Sequence, residues 1–207
     1  SKGNPTETNV NMTFYDYYSG KILHNYVHTM NNRGVPDTLV LDHLVTYKMK
    51  VHTIPPVEVD SFRVHLGKHT VIAADCPQGT LEVNAGESNQ YRGLQFIVRQ
   101  AGKMKTLNVQ EINRKENYLV GKYDLELPIL PRLYISDVRI SQSTVTTVSV
   151  PRPGILNLLK SASGYGSIYV RKSAREEEWV CNLDPNIRNE TLVLQPGNYR
   201  VVFRAQN

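Results

Sequence analysis

The chain has 207 residues, of which 40% are hydrophobic and 21% charged, and 24 Lys and Arg against 19 Asp and Glu leave a formal charge of +5. This balance excludes a wholly disordered chain, a collagen-like repeat and a coiled coil. The length allows one large domain or several small ones at about 100–200 residues each, no apolar run approaches the ~18 residues of a membrane-spanning helix, and two cysteines are too few for a disulfide scaffold.

The first residue is Ser, and no hydrophobic segment opens the chain, so a mature or excised form with any signal peptide already removed is expected. Tyr15, Tyr17 and Tyr18 follow together, and alternation sets Tyr15 and Tyr17 on one face and Tyr18 on the other. Part of this cluster is therefore expected to be core. Residues 22–31 read as a strand between the turn signals Ser19-Gly20 and Asn31-Asn32-Arg33-Gly34. All six histidines lie between His24 and His69. His24 and His28 are four apart, as are His65 and His69. On a strand such pairs share a face but stand ~13 Å apart, too far for one ion. Scattered surface histidines are the expectation, with a metal site through His24, His28, His65 and His69 as the alternative.

Period-two alternation runs through Tyr47–His52, Thr80–Val83, Ser167–Arg171 and Tyr199–Arg204, and predicts strands with one buried face. No long stretch has a 3.6-residue period, so the fold class is all-β. Cys76 and Cys181 allow one bridge, but their unlike contexts favour two separate buried thiols. The Ser161–Ser167 stretch, which carries Tyr165 between two glycines, reads as a flexible turn. The run Arg171–Glu178 is mixed in sign and reads as a solvated hairpin end, not a nucleic-acid patch. No Gly-x-Ser-x-Gly, His-Glu-x-x-His or Cys-x-x-Cys occurs, and Asp16, Asp37, Asp42 and Glu176–Glu178 read as solvated strand ends. No catalytic residue and no cofactor is expected.

The sharpest feature is a repeat. Tyr47, Tyr123 and Tyr199 are spaced by 76 residues, and each begins an alternating segment. Gly121 and Gly197 precede the second and third tyrosines at the same spacing, and Pro77 and Pro153 are also 76 apart. A tyrosine so placed can bury its ring while its hydroxyl bonds a loop backbone, as in the tyrosine corner of immunoglobulin-like sandwiches. Prolines at Pro55-Pro56 and Pro128–Pro131 mark junctions, giving expected domains 1–54, 55–130 and 131–207. The first copy lacks a counterpart of residues 55–76, so upstream continuation is expected.

The stretch from Pro153-Gly154-Ile155-Leu156 to Leu194-Gln195-Pro196-Gly197-Asn198-Tyr199 resembles the PEGA-type surface domain, a small β-sandwich. Asp16-Tyr17-Tyr18-Ser19-Gly20-Lys21 is similar to the start of carboxypeptidase-regulatory-like sandwiches. Val51–Val57 with Gly67–Ile72 and Cys76–Gly79 resembles the C-terminal region of secreted Bacteroidetes proteins that begin with a von Willebrand factor type A domain. Val120-Gly121-Lys122-Tyr123 departs from the PEGA finish by lacking its proline. The resemblance implies tandem immunoglobulin-like or PEGA-like sandwiches working outside the cytoplasm as a non-enzymatic spacer or interaction region. A protein partner is expected, without nucleic acid and without a direct membrane span. The alternative is a carbohydrate-binding accessory module using exposed tyrosines. Tyr15, Tyr17 and Tyr165 are the candidate binding residues in either case.

Overall fold

The computed structural model describes residues 10–86 and 89–206, and among them it forms sixteen β-strands and a single 3-10 turn at Asn89–Tyr91. The all-β expectation is met. The chain divides into two compact units. The first comprises Ser1–Thr80, Asn117–Gly121 and Ile140–Val145, and the second Leu81–Glu116, Lys122–Arg139 and Thr146–Asn207.

The first unit carries β1 (Val10–Asp16), β2 (Ile22–His28), β3 (Tyr47–Val51) and β4 (Val57–Phe62). They form one antiparallel sheet in the order β2-β1-β3-β4. The alternation of Tyr47–Val51 is the burial observed: Tyr47, Met49 and Val51 are buried, while Lys48 and Lys50 turn to the other face. Phe14 joins that core, with Leu23, Tyr26, Val59 and Phe62 packed against it. The Phe62 ring stacks on Tyr47 at 5.7 Å between centroids and meets Phe14 edge-on at 6.3 Å.

Strands β5 (Gln78–Asn84), β6 (Gln95–Gln100), β7 (Thr106–Glu111), β8 (Lys115–Leu119), β9 (Gly121–Leu127), β10 (Leu133–Ile140) and β11 (Val145–Ser149) follow. They divide into a four-stranded sheet, β10-β9-β6-β7, and a three-stranded one, β11-β5-β8, the four-and-three partition of a small β-sandwich. Last come β12 (Gly154–Leu159), β13 (Gly164–Arg171), β14 (Glu177–Leu183), β15 (Asn189–Leu194) and β16 (Tyr199–Ala205). The β12-β15 pair and the β14-β13-β16 sheet share one core of Ile168, Val170, Val180, Leu183 and Leu194, capped by Tyr199 and Phe203.

One strand plan recurs. A hairpin (β1-β2, β6-β7, β13-β14) comes first, and a tyrosine-bearing strand (β3, β9, β16) then pairs antiparallel with the hairpin's first strand. The 76-residue spacing is thus the period of this plan. The Tyr47 hydroxyl donates to the Asp42 carbonyl at 3.1 Å and accepts from the Asp42 N–H at 2.9 Å. The Tyr199 hydroxyl donates to the Gln195 carbonyl at 2.6 Å. Both are the loop-anchoring bonds foreseen from the repeat. The two cis peptide bonds, before Pro55 and before Pro131, share the same spacing.

Both proline stretches lie between neighbouring strands of a sheet. Pro55-Pro56 connects β3 to its sheet neighbour β4, and Pro128–Pro131 connects β9 to its neighbour β10. Proline suits such a connection because no ladder hydrogen bond is required of its missing N–H. The boundaries 54/55 and 130/131 therefore each fall between two strands of one sheet.

The Ser161–Ser167 stretch is also not a flexible turn from end to end. Residues from Gly164 onward are strand β13, and a Cβ on Gly164 would stand 2.2 Å from the Arg204 carbonyl oxygen and 2.9 Å from the Ala205 Cα. Glycine is present because the β16 backbone passes close, not because the segment bends. The mixed-charge run does form a hairpin end: the Lys172 N–H donates to the Glu176 carbonyl at 2.9 Å, and Glu177 is clamped between Arg171 and Arg200.

Candidate functional site

The candidate site lies on the outward face of the first sheet. Phe14 points to the core, so Tyr15 points away from it, opposite Lys48 on β3 and Ile22 on β2. Lys50 faces Glu58 on β4, and the Lys48 ammonium reaches the Glu58 carboxylate at 2.6 Å. Tyr15, Tyr17, Lys48, Lys50 and Glu58 line a shallow depression of about 300 Å3. The Lys48–Glu58 hydrogen bond raises the lysine's pKa and lowers the glutamate's, so both stay charged over the neutral range.

The turn beside this face explains the Asp-x-x-Ser-Gly-Lys motif. Asp16 Oδ1 accepts from the Ser19 N–H and from the Ser19 hydroxyl, each at 2.7 Å, and these bonds lower the carboxyl's pKa. The Gly20 N–H donates to the Asp16 carbonyl at 2.9 Å, and Gly20 has φ +69°, the left-handed conformation glycine adopts without strain. The same turn ends the alternation read through this cluster. β1 stops at Asp16, so strand alternation does not extend to Tyr17 and Tyr18. Both rings are exposed and meet edge-to-face at 5.3 Å.

Tyr15 and Tyr17 are thus brought to one depression. Tyr165 belongs to the second unit, where it is exposed at the start of β13 and its hydroxyl accepts from Gln206 Nε2 at 3.5 Å. Lys48, Lys50 and Glu58 were not singled out from sequence. Their signal was present, since Lys48 and Lys50 are the polar positions of the alternating strand β3 and Glu58 is a polar position of its neighbour β4.

The histidines take separate places. His24 is exposed on β2, and His65 and His69 are exposed outside the strands. His28 Nδ1 lies 3.0 Å from Asp37, and His52 Nε2 lies 2.7 Å from the Thr13 hydroxyl. Among the described residues no group of three or more His, Cys, Asp or Glu is placed to hold a metal ion. Both cysteines are half-buried, and burial pushes the Cys181 thiol upward in pKa.

The aspartates expected to be solvated strand ends also pin turns. Asp42 Oδ1 accepts from the Leu44 N–H at 2.9 Å. Asp37 accepts from the Thr29 N–H at 3.1 Å and the Thr29 hydroxyl at 2.7 Å, tying the 29–37 loop to the end of β2. Burial pushes the Asp37 carboxyl up, but the nearby Tyr26 hydroxyl, Thr29 and the His28 charge outweigh it and hold the group at about 2, against an ordinary 3.8. A depressed carboxyl stabilises the fold fully above its unfolded value and loses that contribution as pH falls towards the folded one. Between pH 4 and 2, Asp37→Asn is expected to lose less melting temperature than the parent chain. Parallel curves in thermal melts across that window would refute the pinning role.

No protein-family model, no curated protein and no solved structure matches the chain. Among the described residues no helix is long and apolar enough to cross a membrane.

Proposed function

We propose that this chain is a non-enzymatic, extracytoplasmic module of tandem immunoglobulin-like or PEGA-like sandwiches, serving as a spacer and interaction region of a larger surface or secreted protein of a Bacteroidetes-type bacterium. The observation that carries this reading is the threefold recurrence of hairpin plus tyrosine strand, with loop-anchoring hydroxyls at Tyr47 and Tyr199. Its residues are spent on architecture: the aspartates cap turns and the repeated tyrosines fix loops. The role is mechanical, with small stable units joined by short connections and a protein partner meeting the polar face around Tyr15, Tyr17 and Lys48.

Modular unfolding tests it. Met49→Ala truncates the first core and is expected to lower the first unit's thermal transition by the equivalent of about 2–5 kcal/mol. The transition reported by Trp179, the sole tryptophan and a residue of β14, is expected to stay in place. One calorimetric transition that shifts as a whole would count against independent modules. The carbohydrate-binding alternative draws support from the exposed Tyr17 ring, which lines the depression with Tyr15, Lys50 and Glu58. A glycan-array signal abolished by Tyr15→Ala and by Tyr17→Ala would turn the reading to it.

A further inference from the structure

Each tyrosine strand has an edge facing away from its hairpin. In the first sheet β4 pairs with that edge of β3, and β10 lies beside β9 in the same way. Among the described residues no strand lies beside the corresponding edge of β16. Val201 and Val202 are exposed there. A groove of about 260 Å3 runs alongside, lined by Leu158, Leu159, Leu183, Val201 and Phe203. The strands that occupy the other two edges bring branched or aromatic side chains to the core: Val57, Val59 and Phe62 from β4, and the buried Val138 and Ile140 from β10. An open apolar strand edge templates pairing, with main-chain bonds giving affinity and alternate side chains filling pockets.

Charge specifies the occupant further. A cation on each of the first two tyrosine strands pairs with a carboxylate on the neighbouring strand, Lys48 with Glu58 at 2.6 Å and Lys122 with Asp137 at 3.0 Å. Tyr199 and Phe203 face the core, so Arg200 and Arg204 share the opposite face of β16. Arg200 is engaged by Glu177, and Arg204 is exposed. Two β16 edges brought together would set arginines against arginines, which disfavours a second copy of this edge as the occupant.

We propose that the β16 edge is a strand-acceptor site for one extended segment of the β10 type. Its branched apolar residues at alternate positions fill the groove between Leu158 and Phe203, and an Asp or Glu on its other face meets Arg204. This inference rests on the sheet plan and not on the spacer role, so either can fail alone.

The peptide Pro131–Ile140 of this chain is the probe, added in trans and, in a second arm, fused behind Asn207 through a Gly-Ser linker. Added peptide is expected to slow amide exchange in β16 and not in β14. The fused segment is expected to raise the Trp179-reported melting temperature by about 5 °C or more. Peptide carrying Val138→Lys and Ile140→Lys is expected to bind at least tenfold more weakly, and Asp137→Lys severalfold more weakly. In the chain, Val201→Lys is expected to abolish binding with the circular dichroism unchanged. Equal binding of the double-lysine peptide would overturn the proposal. So would the absence of β16 protection, or protection that grows with the chain's own concentration.

Discussion

Glu190→Ala is expected to destabilise the β12–β16 sandwich by about 3 kcal/mol, the range found when one partner of a buried ion pair is removed. The Lys160 side chain is 4% exposed and that of Glu190 11%. The ammonium donates to the Asp184 carbonyl at 2.5 Å and to Glu190 at 3.0 Å. Glu190 also accepts from the Asp184 N–H at 3.2 Å, so one carboxylate holds both the lysine and the turn after β14. Without it, a buried ammonium keeps only a carbonyl. Lys160→Met should cost less, because the carboxylate left behind is more exposed and retains the Asp184 N–H. The double substitution Lys160→Met with Glu190→Met removes both charges and keeps the apolar stems. It should lie closer to the parent than Glu190→Ala does, giving a coupling energy of clear sign in urea titrations followed by Trp179 fluorescence. Strictly additive costs would mean that the pair does not act as a unit.

Nothing in the local sequence announces that pair. Leu158-Leu159-Lys160 reads as the polar end of a strand, and Glu190 lies 30 residues on, in a segment that alternates like any other. Only the antiparallel pairing of β12 with β15, which sets Leu158 opposite Glu190, brings the two charges to one place. The repeat was legible for the opposite reason. Its tyrosines and turn glycines serve local architecture, so their chemistry is written at a fixed spacing wherever the plan recurs. Period two was legible where one face of a strand is buried, as at Tyr47–Val51, and misled at Tyr17-Tyr18, where Asp16 and Gly20 end the strand. Gly164-Tyr165-Gly166 misled because small residues mark both loops and close backbone approach. Tyr15 and Tyr17 could be named as candidates from residue type alone, but Lys48 and Glu58, which line the same depression and give it charge, needed the register of β3 and β4.

Tyr47→Ala is expected to cost about 3–5 kcal/mol, the effect of emptying a large aromatic from a packed core, while Tyr47→Phe costs about 1 kcal/mol. The ring is 1% exposed and stacked on Phe62, so truncation opens a void between β1, β3 and β4. The hydroxyl's share is smaller because Asp42, whose backbone groups it bonds, lies near solvent, and water can take over both bonds. Burial also raises the Tyr47 hydroxyl above its ordinary pKa of 10.0. A group raised on folding stabilises fully below its unfolded value and loses that contribution as pH climbs through the folded one. The parent should therefore weaken above pH 10 more steeply than Tyr47→Phe, which has no hydroxyl to ionise. Tyr199→Phe should show a smaller version of both effects, since its ring is only half-buried against the β12–β16 core. Urea melts at pH 7 and pH 11 on the two Phe variants and Tyr47→Ala would check the order. If Tyr47→Ala cost no more than Tyr47→Phe, the 76-residue tyrosine would be a loop anchor alone and not also a core residue of its sheet.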